Sequence, residues 1–387
     1  MFDFTTFLSD IYAIALTVVL LLAFTYLCLF YGLYHFRVGR WGLKKKNDAD
    51  AKEVGSTPPV SVVLTAHNDA VWLRENLVYL LEQDYPNYEV VVVDYLSHDD
   101  THYVLKLLKD YYSHLKVVPF KEDVNLFQGK KYPLSIGIKS AKNDILMLAD
   151  PDCTPKNLNW LRGMVKGYRQ KETKIVLGYC GIKQQKSVFG WLQQYDNLAF
   201  GTYYLGRALM GNPCTGSGRN LSYRRSFFFD RGAFIRHYDV ADGSDDLFVY
   251  YNADKQNTAI CIDSDACLTI DPYKTFSNWH ADRLHRVATR NRHSLSSRLR
   301  EDLPYFANLL FYAVAALLII QGSLPWVVTV AVLVLKWAWQ ILAFAQPARR
   351  FEGGLVFLAA PLMEIYFTVA NTILILTPLP SNRKFKK

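Results

Sequence analysis

The sequence has few cysteines for its length, and none of them are spaced as a metal-binding pair. Six cysteines are spread over 387 residues, and no two of them form a Cys-x-x-Cys motif. This pattern argues against a zinc module and favours a reduced, cytosolic setting for the thiols. Internal repeats and low-complexity tracts are absent as well.

Acidic residues are fewer than basic ones. The chain has 35 aspartates and glutamates against 44 lysines and arginines, and its formal net charge is +9. A basic chain can bind nucleic acid, but no module of that class is recognisable here. The basic residues lie beside long apolar runs, so we expect a membrane surface as partner and no nucleic acid.

Charged residues are missing from residues 11–34, a stretch long enough to cross roughly 30 Å of hydrocarbon as a helix. No basic segment precedes it and no small-residue cleavage site follows it, so we expect an anchor and not a cleavable signal. Further candidate spans near the other end are 304–320, 324–345 and 353–377. Because the first of these is short and the last contains Pro361 and Asn371, we expect two or three of them to cross.

The charges that flank the first span indicate its orientation. Asp3 and Asp10 precede it, whereas Arg37, Arg40 and Lys44 follow it. The positive-inside rule then puts the N-terminus outside and the large middle region in the cytoplasm. We expect a multi-pass protein of the cell membrane with a cytoplasmic catalytic domain.

Strand-like and helix-like segments alternate through the middle region. The strand candidates are 60–65, 88–94, 115–119 and 144–149, and the helix candidates are 71–83, 99–112 and 131–141. Uninterrupted apolar strands separated by helices predict a parallel sheet covered on both faces. Ligands of such sheets bind beyond the carboxyl ends of the strands, where His67, Asp94 and Asp150 fall. We therefore expect these residues to share one site.

Asp150-Pro151-Asp152 directly follows one of these apolar strands. Two carboxylates one residue apart can offer hard oxygen ligands to Mg²⁺ or Mn²⁺. Such ions reach proteins through one or two carboxylates together with substrate phosphates. The pair fits an enzyme that uses a nucleotide sugar, in which the metal holds the departing diphosphate. Taken alone, the same pair is also typical of a solvated turn.

Several segments of the middle region together resemble, in order and spacing, the motifs of the family 2 glycosyltransferases. They are 59–69, 83–94, Gly129-Lys130, Asp150-Pro151-Asp152, 216–224 and 243–246. The resemblance covers about residues 58–290. It implies an α/β fold of the GT-A type, which is Rossmann-like and binds nucleotide sugars, here with transmembrane helices at both ends. It also implies a divalent metal and sugar transfer with inversion.

The resemblance further implies a donor side and a metal site. The donor-side residues are His67, Asp69, Asp94, Lys130, Asp150, Arg283 and Arg286. Asp150 and Asp152 would hold Mg²⁺ or Mn²⁺. Simpler roles stay open for three of these residues: Asp94 can cap a turn, Asp69 can cap the next helix, and Lys130 can be a solvated loop lysine.

Asp246 matches the position of the family's general base, which takes the proton of an acceptor hydroxyl. The residues implied for the sugar and acceptor side are Gly218, Arg219, Asn220 and Asp245. The alternative for Asp245 and Asp246 is to cap the helix that begins at Leu247. The glycines of this loop can equally form an ordinary turn.

Two positions depart from the family pattern. Tyr95 stands where a second acid is usual, and residues 282–286, Asp-Arg-Leu-His-Arg, stand where membrane-associated members have Gln-x-x-Arg-Trp. In processive synthases that tryptophan stacks on the acceptor sugar, so its absence favours single addition. We expect transfer from a UDP- or GDP-sugar to a lipid or lipid-linked saccharide. A processive polysaccharide synthase and a catalytically inactive membrane scaffold are the alternatives.

The expected organisation follows from these assignments: anchor 1–36, polar and basic linker 37–58, GT-A domain 59–275, amphipathic basic interfacial segment 276–303, transmembrane region 304–378 and basic tail 379–387. Lys336 and Glu364 lie inside candidate spans, where ionisable residues are costly and usually have a partner. Their similar depth in an antiparallel hairpin predicts that they pair. Separate contact of each with headgroups is the alternative.

Overall fold

The computed structural model describes residues 11–42, 57–120, 129–322 and 324–377. The chain forms two compact units. Among the described residues, those within 11–41, 293–349 and 353–377 form a helical unit, and those within 42–292 and 350–352 form a globular unit. Three predictions fall largely outside the described part: the acidic residues before the first span (in 1–10), most of the linker (43–56) and the basic tail (in 378–387).

The α-helices are numbered along the chain through both units. They are α1 (Ile11–Phe30), α2 (Arg37–Arg40), α3 (Ala70–Leu81), α4 (Thr101–Tyr111), α5 (Lys131–Ser140), α6 (Trp160–Val165), α7 (Val188–Leu209), α8 (Arg225–Asp230), α9 (Asp246–Asn252), α10 (Phe276–Ala288), α11 (Leu295–Gln321), α12 (Trp326–Arg350) and α13 (Ala360–Leu376). A π-helical segment, Tyr31–Phe36, joins α1 to α2.

Four stretches of the helical unit are long and apolar enough to cross a membrane: 11–40, 295–321, 326–350 and 356–376. The C-terminal region thus has three candidate spans by length and composition, the upper figure of the prediction. Pro361 does not interrupt the last of them, because it lies in the first turn of α13, where proline is tolerated.

Lys336 and Glu364 form an ion pair inside the helical unit, between α12 and α13. Both are buried, with 0% and 5% of their surface exposed. Lys336 Nζ also donates to Asn308 Oδ1 at 2.8 Å and to Tyr312 Oη at 2.9 Å, both on α11. The predicted pairing is confirmed, and three helices share the contacts of one lysine.

The strands of the globular unit form two sheets. They are β1 (Val60–Ala66), β2 (Tyr88–Tyr95), β3 (Leu115–Phe120), β4 (Ile145–Leu148), β5 (Cys153–Pro155), β6 (Ile175–Leu177), β7 (Cys180–Ile182), β8 (Leu221–Arg224), β9 (Thr258–Ile260) and β10 (Leu268–Ile270). The larger sheet has the order β3-β2-β1-β4-β8-β6-β9, and the smaller one has the order β5-β10-β7.

The predicted parallel sheet is confirmed for β3, β2, β1 and β4. Val90 to Val93 of β2 are completely buried, as expected for a strand covered on both faces. Gly137 of α5 allows close packing, because a Cβ there would lie 2.7 Å from Val63 Cγ1 of the sheet. The sheet then becomes mixed, since β8 runs antiparallel to both β4 and β6.

The segment predicted as one interfacial element, 276–303, is divided between the two units. Helix α10 belongs to the globular unit, whereas α11 begins at Leu295 in the helical unit. A short 3₁₀ segment, Arg290–Arg292, separates the two helices. The amphipathic pattern therefore arises from two helices with different surroundings and not from a single surface helix.

Candidate active site

The carboxyl ends of β1, β2 and β4 bring the first predicted site residues to one edge of the sheet. Ala66 pairs in register with Asp94, and Val63 pairs with Leu148, two residues before Asp150. Because all three strands are parallel, the residues that follow them meet at the same edge. The predicted common location of His67, Asp94 and Asp150 agrees with this topology.

His67 and Asp69 form a compact turn after β1. The backbone N–H of His67 donates to Asp69 Oδ2 at 2.8 Å, and His67 Nδ1 lies 2.6 Å from the carbonyl oxygen of Tyr95. Asp69 stands at the N-cap position of α3, but its side chain makes no capping bond to that helix. Desolvation raises the pKa of Asp69 above its usual value. Its carboxylate therefore shapes the turn instead of capping the helix.

Asp94, the penultimate residue of β2, has an unused acceptor. Its side chain is 7% exposed, and its Oδ1 has no hydrogen-bond partner among the described residues. His102 is its nearest basic neighbour, with Nδ1 3.8 Å from Oδ2. A buried acceptor without a donor is costly, by about 1–3 kcal/mol. This oxygen is therefore suited to accept a hydrogen bond from a ligand.

Basic side chains bind both carboxylates of the Asp150-Pro151-Asp152 turn. Lys130 Nζ lies 2.6 Å from Asp150 Oδ1, and Arg219 Nη2 lies 3.2 Å from Asp152 Oδ2. Desolvation alone would raise the pKa of Asp150, but the charges of Lys130 and Arg219 hold it below its usual value. Asp150 is thus held in its ionised form, and both carboxylates remain partly open to solvent.

These two carboxylates fit a Mg²⁺ or Mn²⁺ site that substrate phosphates complete. Asp150 and Asp152 can offer carboxylate oxygens from one short turn, and their side chains are 21% and 25% exposed. No cluster of three or more acidic, histidine or cysteine ligands occurs within the described ranges. A site with only one or two protein carboxylates is usual for Mg²⁺ bound with nucleotides.

Arg219 connects this turn to a network of alternating charges. Its Nη1 lies 3.0 Å from Asp282 Oδ1, and Arg286 Nε lies 3.4 Å from the other oxygen of Asp282. Desolvation opposes ionisation of Asp282, but Arg219 and Arg286 lower its pKa to about 2. Arg286 and Arg283 both bind Asp196 of α7, the latter at 3.2 Å. The two arginines predicted on the donor side are thus engaged by protein carboxylates.

Asp245 and Asp246 stand at the start of α9. The backbone N–H of Gly218 donates to Asp245 Oδ2 at 2.6 Å, and a Cβ on Gly218 would lie 3.0 Å from that oxygen. Asp246 Oδ1 accepts from its neighbour's backbone N–H at 2.7 Å, and its Oδ2 accepts from the hydroxyl of Thr289. Desolvation raises the pKa of Asp245. Asp245 makes no side-chain cap of α9.

Asn220 lies in the same loop but has a different environment. Its Oδ1 accepts from Trp160 Nε1 at 3.2 Å, and its Nδ2 donates to the carbonyl oxygens of Tyr179 and Ala266, both at 2.8 Å. It is only 1% exposed. The side chain therefore ties the loop to α6 and to the segments that precede β7 and β10.

A small cleft opens beside this network. Its lining combines aromatic rings with charged and amide side chains: Tyr179, Asn197, Phe200, Tyr204, Ser217, Arg219, Asp282 and Arg286. The guanidinium of Arg286 lies 5.0 Å from the centre of the Phe200 ring. A ring face next to hydrogen-bonding groups can contact both the apolar and the hydroxyl-bearing sides of a molecule.

Three residues of this region were not predicted from the sequence. Thr289 binds Asp246, Asp196 binds both arginines of α10, and Lys131 donates to two carbonyl oxygens of the loop before α9, His237 at 2.5 Å and Val240 at 2.7 Å. Only Asp196 had a signal in the sequence, and an indirect one: the i,i+3 spacing of Arg283 and Arg286 puts both arginines on one helix face, where they can share a partner. Their partner lies about 90 residues away in the chain, where spacing gives no information.

Comparison with known proteins connects this arrangement to a family. Residues 61–231 match the model described as Glycosyl transferase family 2. The probable glycosyltransferase YdaM of Bacillus subtilis is 31% identical over 103 residues, which are 26% of this chain and 24% of that protein. The poly-beta-1,6-N-acetyl-D-glucosamine synthase of Staphylococcus aureus is 25% identical over 202 residues, 51% of this chain and 47% of that protein. The chain thus spans less than half of either relative's length.

A solved structure extends the likeness to the fold. The mannosyltransferase PcManGT from Pyrobaculum calidifontis, in complex with GDP-Man and Mn²⁺, superimposes with a TM-score of 0.57 at 19% identity. The match covers 92% of this chain and 99% of that one. Residues 61–231 thus carry the similarity to glycosyl transferase family 2, and the α/β architecture that contains them is that of a GT-A fold.

Proposed function

We propose that this protein is a membrane-bound, metal-dependent, inverting glycosyltransferase. It transfers one sugar from a UDP- or GDP-sugar to a lipid or lipid-linked saccharide at the cytoplasmic face. The observation that carries the proposal is the gathering of Asp94, Asp150 and Asp152 at one sheet edge with Lys130 and Arg219 beside them. Acidic ligands for a metal next to basic groups for a diphosphate are what a nucleotide-sugar donor needs.

On the donor side, each residue has a role that its surroundings support. Asp94 accepts a hydrogen bond from the base or ribose through Oδ1, which lacks a partner among the described residues. His67 and Asp69 shape the turn beneath the nucleotide. Asp150 and Asp152 hold Mg²⁺ or Mn²⁺, which when bound neutralises charge on the departing diphosphate. Lys130 lies close enough to this turn to bind the same diphosphate.

On the acceptor side, Asp246 is the general base. Its carboxylate takes the proton from an acceptor hydroxyl while that oxygen forms a bond to the anomeric carbon and the bond to the diphosphate breaks. A single displacement of this kind inverts the configuration. Thr289 orients the carboxylate through its hydrogen bond, and Asp245 fixes the loop that begins at Gly218. The aromatic and polar cleft beside Arg219 receives a sugar of the donor or acceptor.

The cytoplasmic location rests on basic residues at the ends of candidate spans. Arg37 and Arg40 end the first span, and Arg349 and Arg350 end the third. By the positive-inside rule these ends face the cytoplasm, together with the globular unit. Reporter fusions after residues 42 and 352 test the orientation: cytoplasmic activity at both positions is expected, and periplasmic or external activity contradicts it.

A processive polysaccharide synthase is the second candidate. It is favoured by the 25% identity with the poly-beta-1,6-N-acetyl-D-glucosamine synthase over 202 residues. It is disfavoured by residues 282–286, which lack the tryptophan of Gln-x-x-Arg-Trp and instead carry Asp282 and Arg286 as parts of a charge network. The mass of the products separates the two candidates, because single addition gives one increment and a synthase gives a ladder.

The proposal is tested by turnover of a donor panel. Purified protein in detergent is incubated with Mn²⁺ or Mg²⁺ and a set of UDP- and GDP-sugars, and release of free nucleoside diphosphate is measured. We expect activity with one donor that is lost in Asp152→Asn. Asp84→Asn is the matched control, because Asp84 is an exposed acid that binds Arg162. If no donor is turned over and no nucleotide binds, the inactive scaffold becomes the better account.

A further inference from the structure

Arg219 lies at the boundary between the proposed metal site and the helix α10, and its contacts indicate more than a sugar-side role. Its guanidinium is 3.2 Å from Asp152 through Nη2, 3.9 Å from Asp150 through Nε and 3.0 Å from Asp282 through Nη1. Three carboxylates thus surround one partly buried arginine. Two of them are the residues proposed to ligate a divalent cation.

The charges of this cluster balance. The carboxylates of Asp150, Asp152, Asp196 and Asp282 are paired with the cations of Lys130, Arg219, Arg283 and Arg286. A divalent cation added to this set brings two positive charges, and the four carboxylates of the set already balance the four protein cations. A nucleoside diphosphate carries the negative charge that restores the balance. The cluster therefore favours the metal and the diphosphate together over the metal alone.

We propose that Arg219 and the divalent metal compete for the carboxylates of Asp150 and Asp152, and that Arg219 then binds the donor diphosphate. This inference rests on the proposed function and assigns Arg219 to the donor side. When the two carboxylates turn to a cation, Arg219 loses its partners on that side and keeps Asp282. The nearest new anion is the diphosphate on the same cation, and an arginine fork matches phosphate oxygens well.

Asp282 makes this exchange possible. Arg219 and Arg286 lower its pKa to about 2, and it binds Nη1 of Arg219, whereas Nη2 and Nε of Arg219 face the two metal ligands. Arg286 in turn holds the other oxygen of Asp282 at 3.4 Å. The guanidinium therefore stays beside the donor site after it leaves the aspartates. Arg219 acts as a positioning and diphosphate-binding residue, while Asp282 restrains it.

The test measures binding and does not depend on turnover. Mn²⁺ binding to full-length protein in detergent is followed by the loss of the free Mn²⁺ electron paramagnetic resonance signal. Binding of UDP and GDP at saturating Mn²⁺ is measured by calorimetry. For Arg219→Gln we expect Mn²⁺ alone to bind about tenfold more tightly, because a neighbouring cation within 4 Å shifts carboxylate equilibria by that order. We expect the nucleoside diphosphate to bind about tenfold more weakly.

Two further variants keep the test decisive. Asp282→Asn should weaken Mn²⁺ binding, whereas Arg219→Gln should strengthen it. Without the Asp282 carboxylate, Arg219 has only Asp150 and Asp152 as anionic partners. Arg162→Gln is the control, because it makes the same substitution at an arginine outside the cluster, where Arg162 binds Asp84. It should leave the affinities for Mn²⁺ and for the nucleoside diphosphate unchanged. A loss of folding would lower every affinity together, so opposite shifts in Arg219→Gln cannot arise from it.

Each outcome separates this inference from the proposed function. If wild-type protein binds Mn²⁺ and a nucleoside diphosphate but Arg219→Gln binds both as wild type does, the competition is refuted and the proposed function stands. Weaker Mn²⁺ binding in an Arg219→Gln protein that unfolds at the wild-type temperature also refutes it, since the arginine would then assist the metal. If wild-type protein binds neither Mn²⁺ nor a nucleoside diphosphate, the proposed function fails together with this inference.

Discussion

Replacing Lys336 by methionine should destabilise the helical unit strongly. The lysine is fully buried and binds Glu364, Asn308 and Tyr312, so its loss leaves a buried carboxylate without a counter-charge. Removing one partner of a buried ion pair costs about 3–5 kcal/mol of unfolding free energy. We expect the same range for Glu364→Met, which leaves the ammonium group without its anion.

The double variant Lys336→Met/Glu364→Met should recover most of this loss. Both charges are then gone, and similar volumes fill the space between α12 and α13. Tyr312 Oη keeps the hydrogen bond from Trp337 Nε1 at 3.1 Å, and Asn308 Nδ2 keeps the one to the Pro304 carbonyl at 3.1 Å. The Asn308 amide oxygen loses its donor and the Tyr312 hydroxyl loses its acceptor on Glu364. We therefore expect a net loss of about 2–3 kcal/mol, the lower end of the cost of two unsatisfied groups.

Unfolding in detergent by added sodium dodecyl sulfate, followed by tryptophan fluorescence, measures these free energies. Leu335→Met on the exposed side of α12 is the control and should stay within about 0.5 kcal/mol of wild type. Hydrogen bonds between membrane helices couple by about 1.7 kcal/mol at most. The ion-pair reasoning would be refuted by a coupling energy below about 2 kcal/mol. In that case the double variant would lose nearly the sum of the two single losses.

Three other perturbations follow from the globular unit. Thr289→Val should lower kcat by about 10- to 100-fold with the donor KM unchanged, because Asp246 loses the hydroxyl that orients it, and Thr289→Ser should restore most of the rate. The hydrogen bond to Asp242 raises the pKa of His285. The pair therefore stabilises the fold below the usual histidine pKa of about 6.5, and this stabilisation is lost as pH rises through the raised pKa. His285→Gln should remove this contribution to the pH dependence of Tm. Gly218→Ala should cost about 1–3 kcal/mol and lower the rate, because its Cβ would lie 3.0 Å from the neighbouring carboxylate, and thermal unfolding with steady-state assays checks both.

The features that the sequence predicted correctly are those with a local signature. Strands such as Val90 to Val93 are apolar without interruption, and the spans are apolar over 20 residues or more, so short windows suffice to recognise them. The Lys336–Glu364 pair was predictable because a charge inside an apolar span needs a partner at similar depth. The common edge of Asp94 and Asp150 followed from parallel strand topology.

The features that were missed depend on contacts between distant parts of the chain. The short antiparallel strand Leu221–Arg224 has only four residues, too few for periodicity to identify it. Thr289 and Asp196 became visible only through their three-dimensional partners. Asn220 belongs to a loop that resembles the family's sugar side, yet its amide holds the scaffold. The motif identified the loop, whereas the direction of each side chain depends on packing.

The most direct test of the central claim is to separate donor binding from transfer in Asp246→Asn. Nucleoside diphosphate binding with Mn²⁺ and release of nucleoside diphosphate from the active donor are measured on the same preparation. The account predicts binding within about twofold of wild type and a rate lower by about 10²–10⁴-fold, the contribution of a general base. A variant that binds and still transfers sugar at the wild-type rate would contradict the account.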